Sequence, residues 1–475
     1  MASEGNLIYV GGQWKNTAGA AVIESPWDGK PVGKCGQADA GDADEAVKRA
    51  LLGFDRTRHL SSSERYDILS FIRSTINDQK DEFAQLMTAE IGKPIQYSRV
   101  EVDRAILSLQ IAAEESRRIG GEVVSMDLLA STKERFGIVR RFPVGVVLGI
   151  TPFNFPLNLV IHKLGPAIAS GNAFILKPAP QAPLTSLRLA RIVESSGYPK
   201  EAFSVLPCSN TVAEHLVKDE RIKMVSFTGS PQVGWGIKTS AGKKKVVLEL
   251  GGNAGAIIDA SADIKEAAKK NAAGAFASAG QTCIKVQRIY VHHKVYDGYV
   301  ETLLVETKLL KSGNPNDQDT VVGPLIDRKA TERVREWVEE ARLHGATVLC
   351  GGGREKNLFE PTILAGVSRT EKLFCNEAFG PVVTLHPFTT IEEAVEGVND
   401  SSFGLQAGIF SNDFRNILYA YNNIEVGALV VNDNPTFRID NMPYGGVKES
   451  GFGREGLKYA IESMTEPRLL AINPR

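Results

Sequence analysis

From Gly137 onward the chain alternates short β-branched runs with helical stretches: GIVRRFPVGVVLGI, NAFILKP, FSVLPC, KMVSFTG and KKVVLELGG are separated by segments such as LTSLRLARIVESSG. Gly or Pro stands at the junctions, and the alternation predicts βαβ units on a parallel sheet, with ligands at the carboxyl ends of its strands. Upstream, DADEAVKRALLGFDR and SSSERYDILSFIRSTINDQKDEFAQLMTAEIGKP carry helical periodicity, the second opening on a serine run before Glu64 and closing at Gly92 and Pro94. Downstream, AGAIID, QRIYVHH, ATVLCGGG, VVTLHPF, QAGIFS and GALVVND read as strands, and RKATERVREWVEEARLHG and TIEEAVEGVND as helices. These predict a second α/β unit. The piece GGEVVSMDLLASTKERFGIVRRF reads as a hairpin which, with the C-terminal strand RLLAINP, is a candidate for pairing with another subunit.

Length agrees with two or three structural units, since 475 residues exceed one typical domain. No segment approaches the ~18 uninterrupted apolar residues of a membrane span, and the start lacks a basic leader with an apolar core. No membrane role and a cytoplasmic location are expected. The 55 basic and 56 acidic side chains leave a formal charge of −1, which excludes a broad basic footprint for nucleic acid. Five scattered cysteines without CxxC spacing argue for free thiols rather than disulfides or a metal site.

Against that background a few residues stand out as candidate chemistry. In ASAGQTCIKVQR, Cys283 follows a run of the smallest side chains, at the exit of a helix expected to start at an N-cap Ser261 and end at Gly280. It is either a buried structural thiol or one that a carbonyl can reach. Glu249 interrupts the apolar strand VVLELGG, as an ion-pair member or as an acid whose proton affinity desolvation raises. Asn154, between two aromatics in TPFNFPLN, is a turn former or an oxyanion donor. FTGSPQVG, with its glycines five apart, departs from GxGxxG but can offer helix N–H groups to a phosphate, and Lys177 ends another strand.

TPFNFP, LKPA, FTGS, LELGG, GQTC, EAFGP and PYGGVKESGFGREG occur in this order, and over nearly the whole chain the pattern resembles the aldehyde dehydrogenase superfamily. It is most similar to the subgroup of lactaldehyde, non-phosphorylating glyceraldehyde-3-phosphate and phosphonoacetaldehyde dehydrogenases. The resemblance implies a dinucleotide-binding α/β domain (1–117 and 138–252), a catalytic α/β domain (253–450), a small β oligomerisation arm (118–137 and 451–475), and a homodimer or homotetramer. It implies that Cys283 is the nucleophile of a thiohemiacetal and thioester route, that Asn154 stabilises the oxyanion, and that Glu249 is the base. Thr151, Pro152, Phe153, Lys177, Pro180, Gly229, Ser230, Gly251, Glu377 and Phe379 are the residues implied at NAD or NADP.

Where many relatives carry an acid that accepts from the adenosine ribose, this chain has Pro180, which leans the expectation toward acceptance of NADP. Arg104, His162, Thr282 and Arg438 are candidates for the substrate's far end, because guanidinium groups suit carboxylate, phosphonate or phosphate. Thr282 takes the place of an arginine found in relatives with phosphorylated or phosphonate substrates, so a hydroxyaldehyde or semialdehyde is equally open. An ion pair of either arginine with Glu101 or Asp440 is the alternative. Glu249 disfavours a CoA-acylating dehydrogenase, and no histidine motif supports a cysteine hydrolase. Retention of Cys283, Glu249 and Asn154 together argues against a non-catalytic structural protein.

Overall fold

The computed structural model describes residues 5–474, so the ends of the expected domain ranges, 1–4 and 475, lie outside the described residues. Val146–Ile150 forms the middle of an eight-stranded sheet, flanked by Ala173–Lys177 and Phe203–Val205 on one side and by Ile222–Thr228 and Lys245–Glu249 on the other. These five strands are parallel, as the β-branched runs predict. Leu7–Val10 joins Phe203–Val205 antiparallel and carries Gln13–Asn16 outside it as one edge, and Gly451–Phe452 closes the other edge antiparallel. Register aligns the strand ends, because Ile150 pairs with Lys177 and Phe227, and Thr228 with Glu249. The loops that follow therefore leave the sheet side by side at its carboxyl edge.

The second unit is a seven-stranded sheet in the order Thr347–Cys350, Thr362–Ala365, Val382–Phe388, Val286–His292, Ala254–Ile258, Gln406–Phe410 and Ala428–Val431. Only its first strand is antiparallel to its neighbour. A third sheet places Phe136–Pro143 between Gly121–Ser125 and Thr465–Ile472, which is the expected hairpin joined by the C-terminal strand. Val123, Leu128, Leu129, Leu469 and Leu470 on this arm are exposed.

Three local expectations differ from the structure. GIVRRFPVGVVLGI is two strands, because Gly145 at a φ of 133° turns the chain from the arm into the first sheet. The long upstream helix is Ser62–Asp78 followed by Lys80–Ile91, with a break at Gln79; the serine run before Glu64 does start it, through a capping box of Ser61 with Glu64, and Gly92 ends it. Asp263, not Ser261, caps the helix Ile264–Phe276, since the Ser261 hydroxyl donates instead to Asp259 at 2.6 Å. Along the arm, the strand begun in 118–137 continues to Pro143. From 451–475 only Thr465–Ile472 joins it, for Gly451–Phe452 belongs to the first sheet.

Helix Asn158–Ser170 is buried on every side, which fits its nearly unbroken apolar sequence and makes it the pillar behind the strand ends. At the centre of the first core the Phe174 ring occupies the space that Gly149 leaves, since a Cβ on Gly149 would lie 2.3 Å from that ring. Phe174→Ala is expected to cost about 3–5 kcal/mol, read as a fall in the urea midpoint with no change in the m-value.

Candidate active site

Every residue singled out for chemistry or cofactor except His162 lines one cleft of about 1090 Å³. Cys283 reaches it through a backbone turn of unusual shape: Ser278, Ala279 and Gly280 have φ of 51°, 57° and 65°. Side-chain-bearing residues enter that left-handed region only when their surroundings impose it. Here a Cβ on Gly280 would lie 2.5 Å from the Gly380 carbonyl, and one on Gly252 would lie 2.2 Å from the Cys283 carbonyl. The glycine pair after Glu249 thus lets the Cys283 loop close onto the end of the first sheet.

The Cys283 sulfur lies 3.1 Å from the Tyr444 hydroxyl. Burial pushes the thiol up to about 11, a rise that the Tyr444 hydrogen bond opposes and Glu377 reinforces. Among the described residues the Cys283 N–H has no acceptor. Asn154 faces the same space, its Nδ2 donating at 2.9 Å to the Gln281 carbonyl and keeping a second N–H for another acceptor. The Asn154 turn is itself fixed from below. Lys93 Nζ donates to the Asn154 carbonyl at 2.8 Å and pairs with Glu101 at 2.5 Å, and Glu101 accepts from the N–H groups of Leu157 and Asn158 that begin the pillar helix.

Glu249 is 2% exposed, and neither carboxylate oxygen has a hydrogen-bond partner. Burial and the nearby Glu455 raise its proton affinity well above that of an ordinary carboxyl, with Arg438, Lys163 and Arg454 opposing. Glu455 is paired with Lys163, which also donates to Thr228 at 2.7 Å. Arg438 lies over the Tyr444 ring at 3.6 Å and 3.7 Å from Glu455, and its Nε has no acceptor. Arg104 lines the cleft too, as a bidentate partner of Asp440 at 2.7 and 3.2 Å; Glu101 is taken by Lys93. Thr282 is on the cleft wall.

His162 is fully buried behind that wall, 2.8 Å from Asp440 and 3.4 Å from Arg438. Its place is to hold Arg438 from the back, because burial and then the Arg438 charge depress its basicity. Tyr444, Glu455 and Lys163 are site residues that the sequence marks only weakly. The first two fall inside PYGGVKESGFGREG, and Lys163 is a lone cation in an apolar helix.

The remaining residues suit a dinucleotide. Lys177 is buried at its strand end with no hydrogen bond or ion pair among the described residues. Ser230 begins the helix Pro231–Ser240 without a side-chain cap, leaving first-turn N–H groups for an anion. Glu377 accepts from Gly252 N–H at 3.0 Å beside Gly251, where a Cβ would lie 2.5 Å from that carboxylate. Phe379, at a φ of 43°, sets its ring edge-on to Phe153 at 6.0 Å. Thr151 and Pro152 line the cleft from the turn before Phe153, and Pro180 lies exposed at its rim.

Residues 14–470 match the aldehyde dehydrogenase family. The 3-sulfolactaldehyde dehydrogenase of Priestia aryabhattai is 44% identical over 467 residues, 98% of each chain. The crystal structure of aldehyde dehydrogenase 21 from Physcomitrella patens with the reaction product succinate superposes with a TM-score of 0.97 at 39% identity over 99% of both chains. The glyceraldehyde-3-phosphate dehydrogenase GapN of Methanocaldococcus jannaschii, complexed with NADP, gives a TM-score of 0.92 at 39% identity, covering 95% of this chain and 98% of that one.

The acidity of Cys283 can be read directly. In the cofactor-free protein, iodoacetamide labelling of the Cys283 peptide should rise with pH toward a midpoint of about 11, and Tyr444→Phe should move that midpoint higher. A midpoint near that of an ordinary thiol, about 8.5, would contradict the burial described.

Proposed function

The chain belongs to the aldehyde dehydrogenase family and oxidises small aldehydes to carboxylic acids with NAD or NADP, and from that premise we propose how its residues divide the work and which aldehyde they take. Cys283 is the nucleophile: its sulfur bonds to the aldehyde carbon while its proton passes to Glu249. The oxygen that becomes negative is met by the free N–H of Asn154 Nδ2 and by the Cys283 backbone N–H. When bound, the nicotinamide supplies the hydride acceptor that leaves the cysteine-linked carbon as a thioester. Once its proton has left, Glu249 takes one from the water that attacks that carbon; the carbon–sulfur bond breaks, giving the acid and the thiol.

The cofactor-facing residues are Lys177 and the Ser230 helix start for the adenosine ribose and pyrophosphate, and Glu377 with Phe379 for the nicotinamide end. With Pro180 in place of an acid, a 2′-phosphate meets no repulsion there, so NADP is accepted. We assign the dinucleotide-binding part, the catalytic part and the arm to the eight-, seven- and three-stranded sheets respectively.

For the aldehyde, the observation that carries most weight is Arg438, a guanidinium on the cleft wall beside Cys283's partner Tyr444, with Nε unpaired. We infer a short aldehyde with an anionic far end, held by Arg438 and Arg104 with Thr282 beside the reacting carbon. Sulfolactaldehyde and glyceraldehyde 3-phosphate, in the names of the relatives, carry such a group, and succinate is a dicarboxylate.

A panel of neutral and anionic aldehydes, run with NAD and with NADP and with or without CoA, tests this. NAD(P)H formation should favour short anionic aldehydes, need no CoA, and fall at least about a thousandfold in Cys283→Ala. Arg438→Met should raise KM for the anionic aldehydes by about 10- to 100-fold and leave neutral ones little changed. An acyl-CoA product that requires CoA would overturn the hydrolytic route.

The exposed apolar side chains of the arm, Val123 and Leu128 at 75% and 84% exposure, lead us to propose a homodimer or homotetramer joined through it. Val123→Glu combined with Leu470→Glu should lower the mass measured by light scattering, and an unchanged mass would place the interface elsewhere.

A further inference from the structure

Behind the wall that carries Arg104 and Arg438 lies one carboxylate, Asp440, that the catalytic steps leave unused; it is 1% exposed. Its Oδ1 accepts from Arg104 Nη2 at 2.7 Å, from His162 Nε2 at 2.8 Å and from Asn158 Nδ2 at 3.3 Å. Its Oδ2 accepts from Arg104 Nε at 3.2 Å. An ionised carboxylate only accepts and a guanidinium only donates. Between the two, His162 carries its proton on Nε2 and accepts on Nδ1 from Arg438 Nη2 at 3.4 Å. The imidazole that joins Arg438 to Asp440 is therefore neutral, and the charge of Asp440 is matched by Arg104.

Away from the cofactor-facing residues, the basic side chains lining the cleft are Lys93, Arg104 and Arg438. Glu101 balances Lys93, and Asp440 balances Arg104. Glu455 stands beside two cations, Lys163 in direct contact and Arg438 at 3.7 Å, and balances only one of them. Arg454 donates to the Gly446 and Gly453 carbonyls and does not line the cleft. At most one positive charge is left over, and it lies on Arg438. Glu249 in its ionised form subtracts from that balance, and Thr282 adds nothing to it. The far end of the cleft thus offers two guanidinium groups but the field of one cation. A buried anion that exceeds its counter-charge is costly.

We propose that this end of the cleft is matched to a singly charged group, a sulfonate or a carboxylate, and discriminates against a phosphate dianion, with Asp440 setting the match. Asp440 acts through the arginines, as a positioning residue that also removes one unit of positive charge. This rests on Arg438 and Arg104 meeting the far end of the substrate, as proposed above.

Steady-state kinetics of the full-length enzyme at saturating NAD or NADP test this with three short aldehydes: sulfolactaldehyde, glyceraldehyde 3-phosphate and uncharged glyceraldehyde. At about pH 8, kcat/KM should be at least about tenfold higher for sulfolactaldehyde than for glyceraldehyde 3-phosphate. A phosphate loses its second proton near about pH 6 while a sulfonate stays singly charged, so the gap should narrow severalfold between about pH 8 and about pH 6. The ratio of the two substrates cancels titrations of the enzyme itself. Asp440→Asn adds a positive charge and should move that ratio about tenfold toward the phosphate, with glyceraldehyde reporting damage common to all substrates. Glyceraldehyde 3-phosphate used as well as sulfolactaldehyde, with both ahead of glyceraldehyde, overturns the charge match and leaves the anionic-end reading standing. Equal use of all three overturns that reading as well. An equal fall for all three in Asp440→Asn overturns the role of Asp440. Should that variant fail to fold, the wild type decides: a ratio that does not change with pH overturns the proposal.

Discussion

Two buried carboxylates, Glu249 and Glu455, sit close enough to raise each other's energy, and the cleft exists in its present form because cations are arranged to offset them. Lys163 neutralises Glu455 directly, and Arg438 lies 3.7 Å from Glu455 and lines the cavity with both acids. Glu249 is left without a hydrogen-bond partner. Were it fully paired, it would be an inert ion; were it alone, its proton affinity would rise further. Partial compensation by Lys163, Arg438 and Arg454 leaves a carboxyl that can both take and release a proton. The same guanidinium that tempers Glu249 is the one proposed to meet an anionic substrate, so on that reading recognition and proton transfer share one charge.

A second constraint is closeness. The nucleophile loop, the Asn154 turn and the end of the Glu249 strand meet only because particular positions lack bulk and particular buried polar groups are satisfied. Gly252 gives the Cys283 carbonyl room, and Lys93 with Glu101 locks the Asn154 turn to the start of the pillar helix. An ion pair buried this completely contributes little net stability, because desolvation offsets most of its attraction. Its value is geometric. It holds the Asn154 amide on the cleft wall, where we propose the oxyanion forms, and the left-handed run before Cys283 presents the sulfur to the same cleft.

Much of this could be read from the chain. β-branched runs punctuated by Gly and Pro located both parallel sheets, and the serine run before Glu64 located a helix start, because those signals act over a few residues. Cys283, Glu249, Asn154 and nearly all the cofactor-facing residues converge on one cleft. What stayed illegible was long-range pairing. Asp440 is 336 residues from Arg104, and nothing local tells that Asp440 rather than Glu101 is its partner. His162 looked like a cleft residue because it follows Asn154 by about two helical turns, yet rotation of the pillar helix turns it toward Asp440. The buried role of Lys163 was hidden because a lone lysine is ordinarily a solvated one.

The antiparallel strand Gly451–Phe452 is only two residues long, yet it is the outer neighbour of the strand that ends in Glu249. Because Glu455 and Tyr444 also come from this stretch, the charge balance around Glu249 and the hydrogen bond to Cys283, whose partners stand 161 residues apart, cannot form before the chain has been made through Glu455. Contacts of such long sequence separation form late in folding. A growing chain on the ribosome thus carries Cys283 without its setting, and the surroundings of the cysteine and this edge of the first sheet are completed in the same event.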